Sequence, residues 1–430
     1  MGSYRASSTT ATLGCFLLIV LSGTRAAPAQ VGAFAELQPA ATSWSFRPTV
    51  ALAYDTFGQS YTISEVDTLD LVDEASARLV ATLLHRGRTH FEVRNALGLG
   101  QEATRNDLFV NLRRQLGALD LRIINDLHYK AYRPRSDFQL SSDYITNSAR
   151  VIAALSLSPA WRLRLEDRFE TARFASRTRY NYDYTRNDVG AEIEKRWGIF
   201  SSMRLGYTYG GRSVPDSLAI GYQRQRVHVG LTQGFGSHLL VVEQMFERRT
   251  YRIPTVRSHF FDTAGRLSAS LSLSEKVRLR PEYRAVVTLY DRPDSVYSSA
   301  NEHVTELILE RDLSARATLG VGPRAEFRRT QSSFDRPYDQ FGIHGMISYI
   351  AGSDFWVEFS NELGVRSHLG AGDRFLTDFV YNWTTLYLSY RFASALTFDL
   401  FFSLTPENHS DSRYDTTTIL ASTALTWALR

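Results

Sequence analysis

From about residue 43 to the C-terminus, apolar and polar side chains alternate one for one, and within each run the ionic ones keep to a single parity. Successive side chains of a strand point to opposite faces, so such a pattern marks strands whose two faces meet different surroundings. In 161–170, Trp161, Leu163, Leu165 and Phe169 alternate with Arg162, Arg164, Glu166, Arg168 and Glu170. Segment 277–289 sets Val277, Leu279, Tyr283, Val287 and Leu289 against Arg278, Arg280, Glu282 and Arg284, and segment 316–328 sets Leu319, Val321, Ala325 and Phe327 against Arg316, Arg324, Glu326 and Arg328. Elsewhere the same parity collects Glu92, Arg94, Asp120, Arg122, Asp126, Lys130, Glu358, Glu362 and Arg366. The apolar parity of these runs carries essentially one charge, Asp167.

The alternation resolves into about twenty segments (range 16 to 22), with ends uncertain by about two to four residues. They lie near 43–55, 75–86, 89–100, 105–115, 118–130, 144–156, 161–173, 182–197, 199–210, 219–234, 237–250, 259–273, 276–290, 301–312, 315–329, 339–350, 353–367, 374–391, 395–405 and 413–429. Their connectors tend to alternate in length. Tight turns at Arg86-Gly87-Arg88, Leu116-Gly117, Trp197-Gly198, Gly234-Phe235-Gly236 and Ala351-Gly352 are interleaved with longer polar stretches such as 56–74, 131–143, 251–258 and 406–412. Twenty strands with connectors use nearly the whole chain, so one closed antiparallel sheet over 43–430 is expected, with no room for a second domain beside it.

Composition narrows the surroundings of that sheet. No uncharged apolar run of helix-spanning length follows the first thirty residues. With 25 Phe, 22 Tyr and 6 Trp the chain carries too much apolar surface to stay unfolded. The net charge of +4 is a small difference between 49 basic and 45 acidic residues, so no nucleic-acid partner is expected. At the N-terminus, Arg5, the apolar stretch Leu13–Leu21 and the small residues Ala26, Ala27 and Ala29 form an export signal, with cleavage expected near Ala27 or Ala29. Residues 1–29 are therefore assigned to the signal and 30–42 to a short periplasmic segment. The lone Cys15 falls inside the signal, which leaves the mature chain without disulfides, thiolate metal sites or a cysteine nucleophile.

A soluble sandwich of this size needs a dry core, yet one face of these strands is full of charge. A bilayer explains the sorting, because Arg or Lys at the lipid-facing midplane of a barrel costs roughly 2–4 kcal/mol. The charged parity is then internal and the apolar parity external, with Trp44, Tyr54, Trp161, Trp197, Tyr207, Tyr209, Tyr290, Tyr349, Trp383, Tyr390 and Trp427 as candidates for the two interfacial girdles. In strand length, connector asymmetry and girdle residues, 43–430 resembles a bacterial outer-membrane β-barrel of the porin-like kind. The resemblance implies the outer membrane of a Gram-negative-type bacterium, contact with its lipid and lipopolysaccharide, and insertion by the outer-membrane assembly machinery. Such barrels commonly end in an aromatic residue; this chain ends Trp427-Ala428-Leu429-Arg430, with Trp427 and Leu429 keeping the alternation. Self-association into a homo-oligomer is left open.

No H-E-x-x-H, G-x-S-x-G, P-loop or dinucleotide fingerprint occurs, so neither catalysis nor a cofactor is expected. His85, His128, His228, His303 and His344 fall in strands, and His259 and His368 near outer connectors, where they read as lining or girdle residues. The carboxylates of 63–74 and 406–416 lack calcium-loop spacing and read as solvated loops or contacts to lipopolysaccharide. A twenty-strand cylinder has a backbone radius of roughly 20 Å, too wide for side chains to close. Only about a dozen residues separate the signal from the first strand, which argues against a plugged, energised transporter; an inward-folded 56–74 or 131–143 is expected to narrow the lumen instead. The lining expected to matter is Arg162, Arg164, Arg168, Arg278, Arg280, Arg284, Arg316, Arg324 and Arg328 with Glu166, Glu170, Glu282, Glu326, Glu358 and Glu362. It suits diffusion of small polar or anionic solutes. The alternative is a non-conducting barrel that serves as scaffold in an envelope complex, with its Arg and Glu residues paired into purely structural ladders.

Overall fold

A computed structural model describes residues 43–429, apart from 64–65, 88, 101–102, 133–142, 177–181, 294–296, 332–335, 370–376 and 394. The expected signal and the segment 30–42 lie outside the described residues. No helix among those described is long and apolar enough to cross a membrane.

The first strands are β1 (Ser43–Ile63), β2 (Val66–Arg86), β3 (Thr89–Gly100), β4 (Ala103–Leu116), β5 (Leu119–Tyr132), β6 (Tyr144–Ser156) and β7 (Trp161–Phe174). Next come β8 (Tyr184–Arg196), β9 (Ser202–Ser213), β10 (Tyr222–Phe235), β11 (His238–Tyr251), β12 (Phe260–Ser272), β13 (Val277–Tyr290) and β14 (Ala300–Ser314). The last are β15 (Ala317–Thr330), β16 (Tyr338–Ala351), β17 (Phe355–His368), β18 (Phe379–Ala393), β19 (Leu396–His409) and β20 (Thr416–Leu429). All twenty expected segments are present, and each strand pairs antiparallel with its sequence neighbours. β1 also pairs with β20, from Val50↔Leu429 to Ile63↔Thr416, so every strand has two partners and the sheet closes on itself.

The registers set the size of the ring. A row of paired residues followed once around returns to β1 about 26 positions along, which inclines the strands by roughly 40° and gives a backbone radius of about 20 Å. At one end the turns are short, and four hold a glycine in the left-handed region: Gly117 (φ 59°), Gly198 (φ 84°), Gly236 (φ 60°) and Gly352 (φ 66°). The connectors at the other end are mostly longer.

One expectation is corrected here. Within 56–74, residues 56–63 and 66–74 do not fold inward as a loop; they extend β1 and β2 into a hairpin paired from Ser43↔Arg86 to Ile63↔Val66. The polar sequence of that stretch hid its strand character, because its backbone is satisfied by ladder bonds whatever its side chains are. The other candidate, 131–143, falls largely outside the described residues.

Candidate functional site

The registers sort the strands into two faces. On one stand exposed large apolar groups, such as Leu165 (50%), Ile343 (62%) and Leu363 (54%). The other carries ion pairs, many of which bridge strands two apart. Arg224 of β10 reaches Asp188 of β8 (Nε to Oδ1 2.9 Å, Nη2 to Oδ2 2.8 Å). His228 Nε2 lies 2.7 Å from Glu192 Oε2, Arg324 Nη1 donates to Glu362 Oε2 at 2.7 Å, and His344 Nδ1 lies 2.7 Å from Glu306 Oε1. Side chains converge on the concave side of a curved sheet and splay on the convex side, so the charged face is the concave one.

Glycines on the strand between make two of these bridges fit. Gly210 stands opposite both Asp188 and Arg224, and a Cβ there would meet Asp188 Oδ1 at 2.0 Å. Gly206 stands opposite both Glu192 and His228, and a Cβ would meet His228 Cε1 at 1.9 Å. A glycine within a strand marks such close approach.

The pairs join into networks. Asp188 takes Arg186 and Arg224, while Glu247 takes Arg226 (Nε 2.9 Å) and Arg249 (Nε 3.1 Å) and lies 3.9 Å from Arg224. Arg249 also lies over the rings of Tyr222 and Phe260, at 4.6 and 4.9 Å. Farther round, Glu362 accepts from Arg324 and from Tyr381 Oη (2.6 Å), and Glu326 accepts from Arg324 (3.1 Å) and from Tyr338. Asp188, Glu247, Glu310, Glu326 and Glu362 are buried, and each has a cationic partner, as a desolvated carboxylate requires.

Of the fifteen residues expected on one face, fourteen share the concave side: Arg162, Arg164, Arg168, Glu166 and Glu170 on β7, Arg278, Arg280, Arg284 and Glu282 on β13, Arg324, Arg328 and Glu326 on β15, and Glu358 and Glu362 on β17. Arg164 donates to Glu166 (2.6 Å), Arg168 to Glu170 (3.3 Å), Arg280 to Glu310 (2.5 Å) and Arg328 to Glu302 (3.0 Å). Arg316 is the correction. It occupies the exposed turn between β14 and β15, its backbone N–H bonded to Ser314 Oγ at 3.1 Å. The register shifts between Asp312 and Ser314, so parity no longer carries through the turn.

Two expected girdle residues are also corrected. Trp383 stands opposite Glu362 and Tyr290 opposite Phe260, both on the concave side, whereas Trp44, Trp161, Tyr207, Tyr209 and Trp427 are exposed on the convex one. An aromatic side chain at a strand end suits either an interface or an arginine, and parity across the register decides which. The carboxylates of 406–416 take partners within the chain: His409 N–H bonds Asp415 Oδ1 (2.7 Å) and Arg413 bonds Asp411 (Nη2 to Oδ2 2.6 Å).

Sequence reasoning read His228 as a lining or girdle residue but left out of the site the rest of the β8–β11 network, Asp188, Glu192, Arg224, Arg226 and Glu247. Its signal was present as even-parity charges in 186–194 followed by Gly206 and Gly210.

No family model matches the chain, and a comparison with curated protein sequences finds no match. Solved structures do match. The siderophore receptor PirA from Pseudomonas aeruginosa is similar over 89% of this chain and 80% of its own, with TM-score 0.54 and 10% identity. The alcaligin outer-membrane receptor FauA from Bordetella pertussis is similar over 88% and 76%, with TM-score 0.52 and 12% identity. Pseudomonas aeruginosa OpdQ aligns over 90% and 98%, with TM-score 0.46 and 10% identity. The ring of twenty antiparallel strands and these likenesses show that the chain has the fold of the outer-membrane β-barrels.

Proposed function

We propose that this barrel is an outer-membrane channel through which small polar and anionic solutes diffuse, with the concave arginines and glutamates as the lumen lining. The observation that carries it is the sorting of charge: most ionic side chains of β3–β17 face inward across a cylinder of about 20 Å radius, while Leu165, Ile343 and Leu363 face outward. Among the described residues, every segment longer than a connector belongs to the wall. Arginines around a low-dielectric wall focus a positive potential, which biases permeation toward anions. The N-terminal signal pattern supports export, and the apolar outer face supports contact with outer-membrane lipid and lipopolysaccharide and insertion by the assembly machinery.

Refolded protein in a planar bilayer tests this. Stepwise openings are expected, with a reversal potential in a KCl gradient that favours chloride. Replacing Arg164, Arg280 and Arg324 by Gln is expected to shift that potential toward zero selectivity; an unchanged value removes them from the permeation path. The dense ion-pair ladders favour a second reading, a non-conducting scaffold, and a barrel that inserts but stays silent supports it.

A further inference from the structure

The concave wall holds a cleft of about 370 Å³ near the short-turn end of β4–β9. Its floor is β6, where Ile152 and Ala154 are too short to fill the space between the arginines on either side. Six of its lining residues are arginines, 113, 122, 162, 164, 196 and 204, against three carboxylates, Asp120, Glu192 and Glu194. Those carboxylates are largely committed. Asp120 takes Arg113 in a fork (Nε 2.9 Å, Nη2 2.7 Å), Glu194 takes Arg196 in another (Nε 2.9 Å, Nη2 2.9 Å), and Glu192 faces His228.

What remains is an incompletely neutralised set. Arg122 has no carboxylate within ion-pairing distance among the described residues, and its Nε donates to Asn111 Oδ1 at 2.9 Å. Arg162 comes only within 4.0 Å of Asp120, which Arg113 already holds. Arg164 shares Glu166 with Arg150 and keeps a buried Nε without a hydrogen-bond partner. Arg122 also stands directly opposite Arg113 in the register, an arrangement that repels in an empty sheet. On the neighbouring wall, by contrast, each of Arg186, Arg224, Arg226 and Arg249 is in direct contact with a carboxylate, Asp188 or Glu247.

We infer that this cleft binds a compact oxyanion with two or more negative charges, a phosphate ester or a polycarboxylate. It rests on the channel reading in taking the concave face as solvent-filled. Planar guanidinium forks match the paired oxygens of phosphate and carboxylate, and three arginines converging on one depression favour multiple charge over a single halide.

The full chain refolded in detergent is titrated with pyrophosphate and with citrate by calorimetry at about 50 mM NaCl, where screening still leaves such charge interactions measurable. Saturable binding at one site per chain is expected for at least one probe. Tighter pyrophosphate binding assigns the phosphate class, tighter citrate binding the carboxylate class. The Arg122→Gln/Arg162→Gln variant should bind about tenfold more weakly and Arg122→Lys severalfold more weakly, while Arg413→Gln at the opposite end is unchanged. Wild-type protein that binds neither probe overturns the inference, as does a double variant, heat-modifiable on gels like the wild type, that binds as well as wild type. Conductance of the same preparation separates the two readings: a silent barrel that binds keeps the oxyanion site and sinks the channel, and a conducting barrel that binds neither does the reverse.

Discussion

Arg113 and Arg122 stand directly opposite each other across β4 and β5, and their guanidinium groups turn apart, Arg113 to Asp120 toward the short turn and Arg122 to Asn111 away from it. Two like charges in opposed positions destabilise an antiparallel pair. Arg122→Gln is therefore expected to stabilise the unliganded barrel by about 0.5 kcal/mol, read as a higher urea midpoint in detergent. A lower midpoint would show that the bond to Asn111 outweighs the repulsion.

Gly206 carries the His228 ring across β9 to Glu192. Gly206→Ala places a methyl where the ring lies and is expected to cost about 1 kcal/mol by breaking that contact. Combining it with His228→Ala gives less than the sum of the two, since the contact is lost only once. A fully additive cycle would mean that the glycine is there for another reason.

Ile343 projects from the convex face near the middle of β16, and Ser348 of the same strand faces Glu358 on the concave side. Ile343→Arg is expected to cost roughly 2–4 kcal/mol and to reduce refolding into liposomes. Ser348→Arg should refold as the wild type does, its charge meeting Glu358. Equal yields would contradict the assignment of faces.

Asp291, just past β13, binds the Arg248 guanidinium (Nη1 to Oδ1 2.8 Å), which holds its carboxyl below the usual carboxylate range. A depressed pKa means that the contact contributes fully above the ordinary value of about 4 and is lost as pH falls through the lowered one. Hydrogen exchange of the 290–292 amides, corrected for intrinsic rates, should stay protected at pH 5 and open only below about pH 4. In Arg248→Gln the opening moves to higher pH; an unmoved profile would place the protection elsewhere.

The number of strands and the parity of most lining residues were legible in the sequence because both are local. Arg162 to Glu170 and Arg278 to Arg284 show their shared face within a few residues. What failed did so where local pattern stops carrying information. At Arg316 a bulge reset the parity, in 56–74 polar side chains hid a paired hairpin, and Trp383 and Tyr290 were placed by neighbours on other strands. Gly206 and Gly210 looked like gaps in an alternation until β8 and β10 were seen to meet over them.

By itself the sequence determined that the chain would make some twenty two-faced strands with charge on one side, since a period of two follows from the geometry of an extended backbone. Only the closed sheet decided that β1 meets β20, that Asp188 pairs with Arg224, and that Arg122 is left facing Arg113. Those outcomes depend on register and curvature, which are properties of paired and ringed strands rather than of any one of them, and they settle where on the wall positive charge is left over.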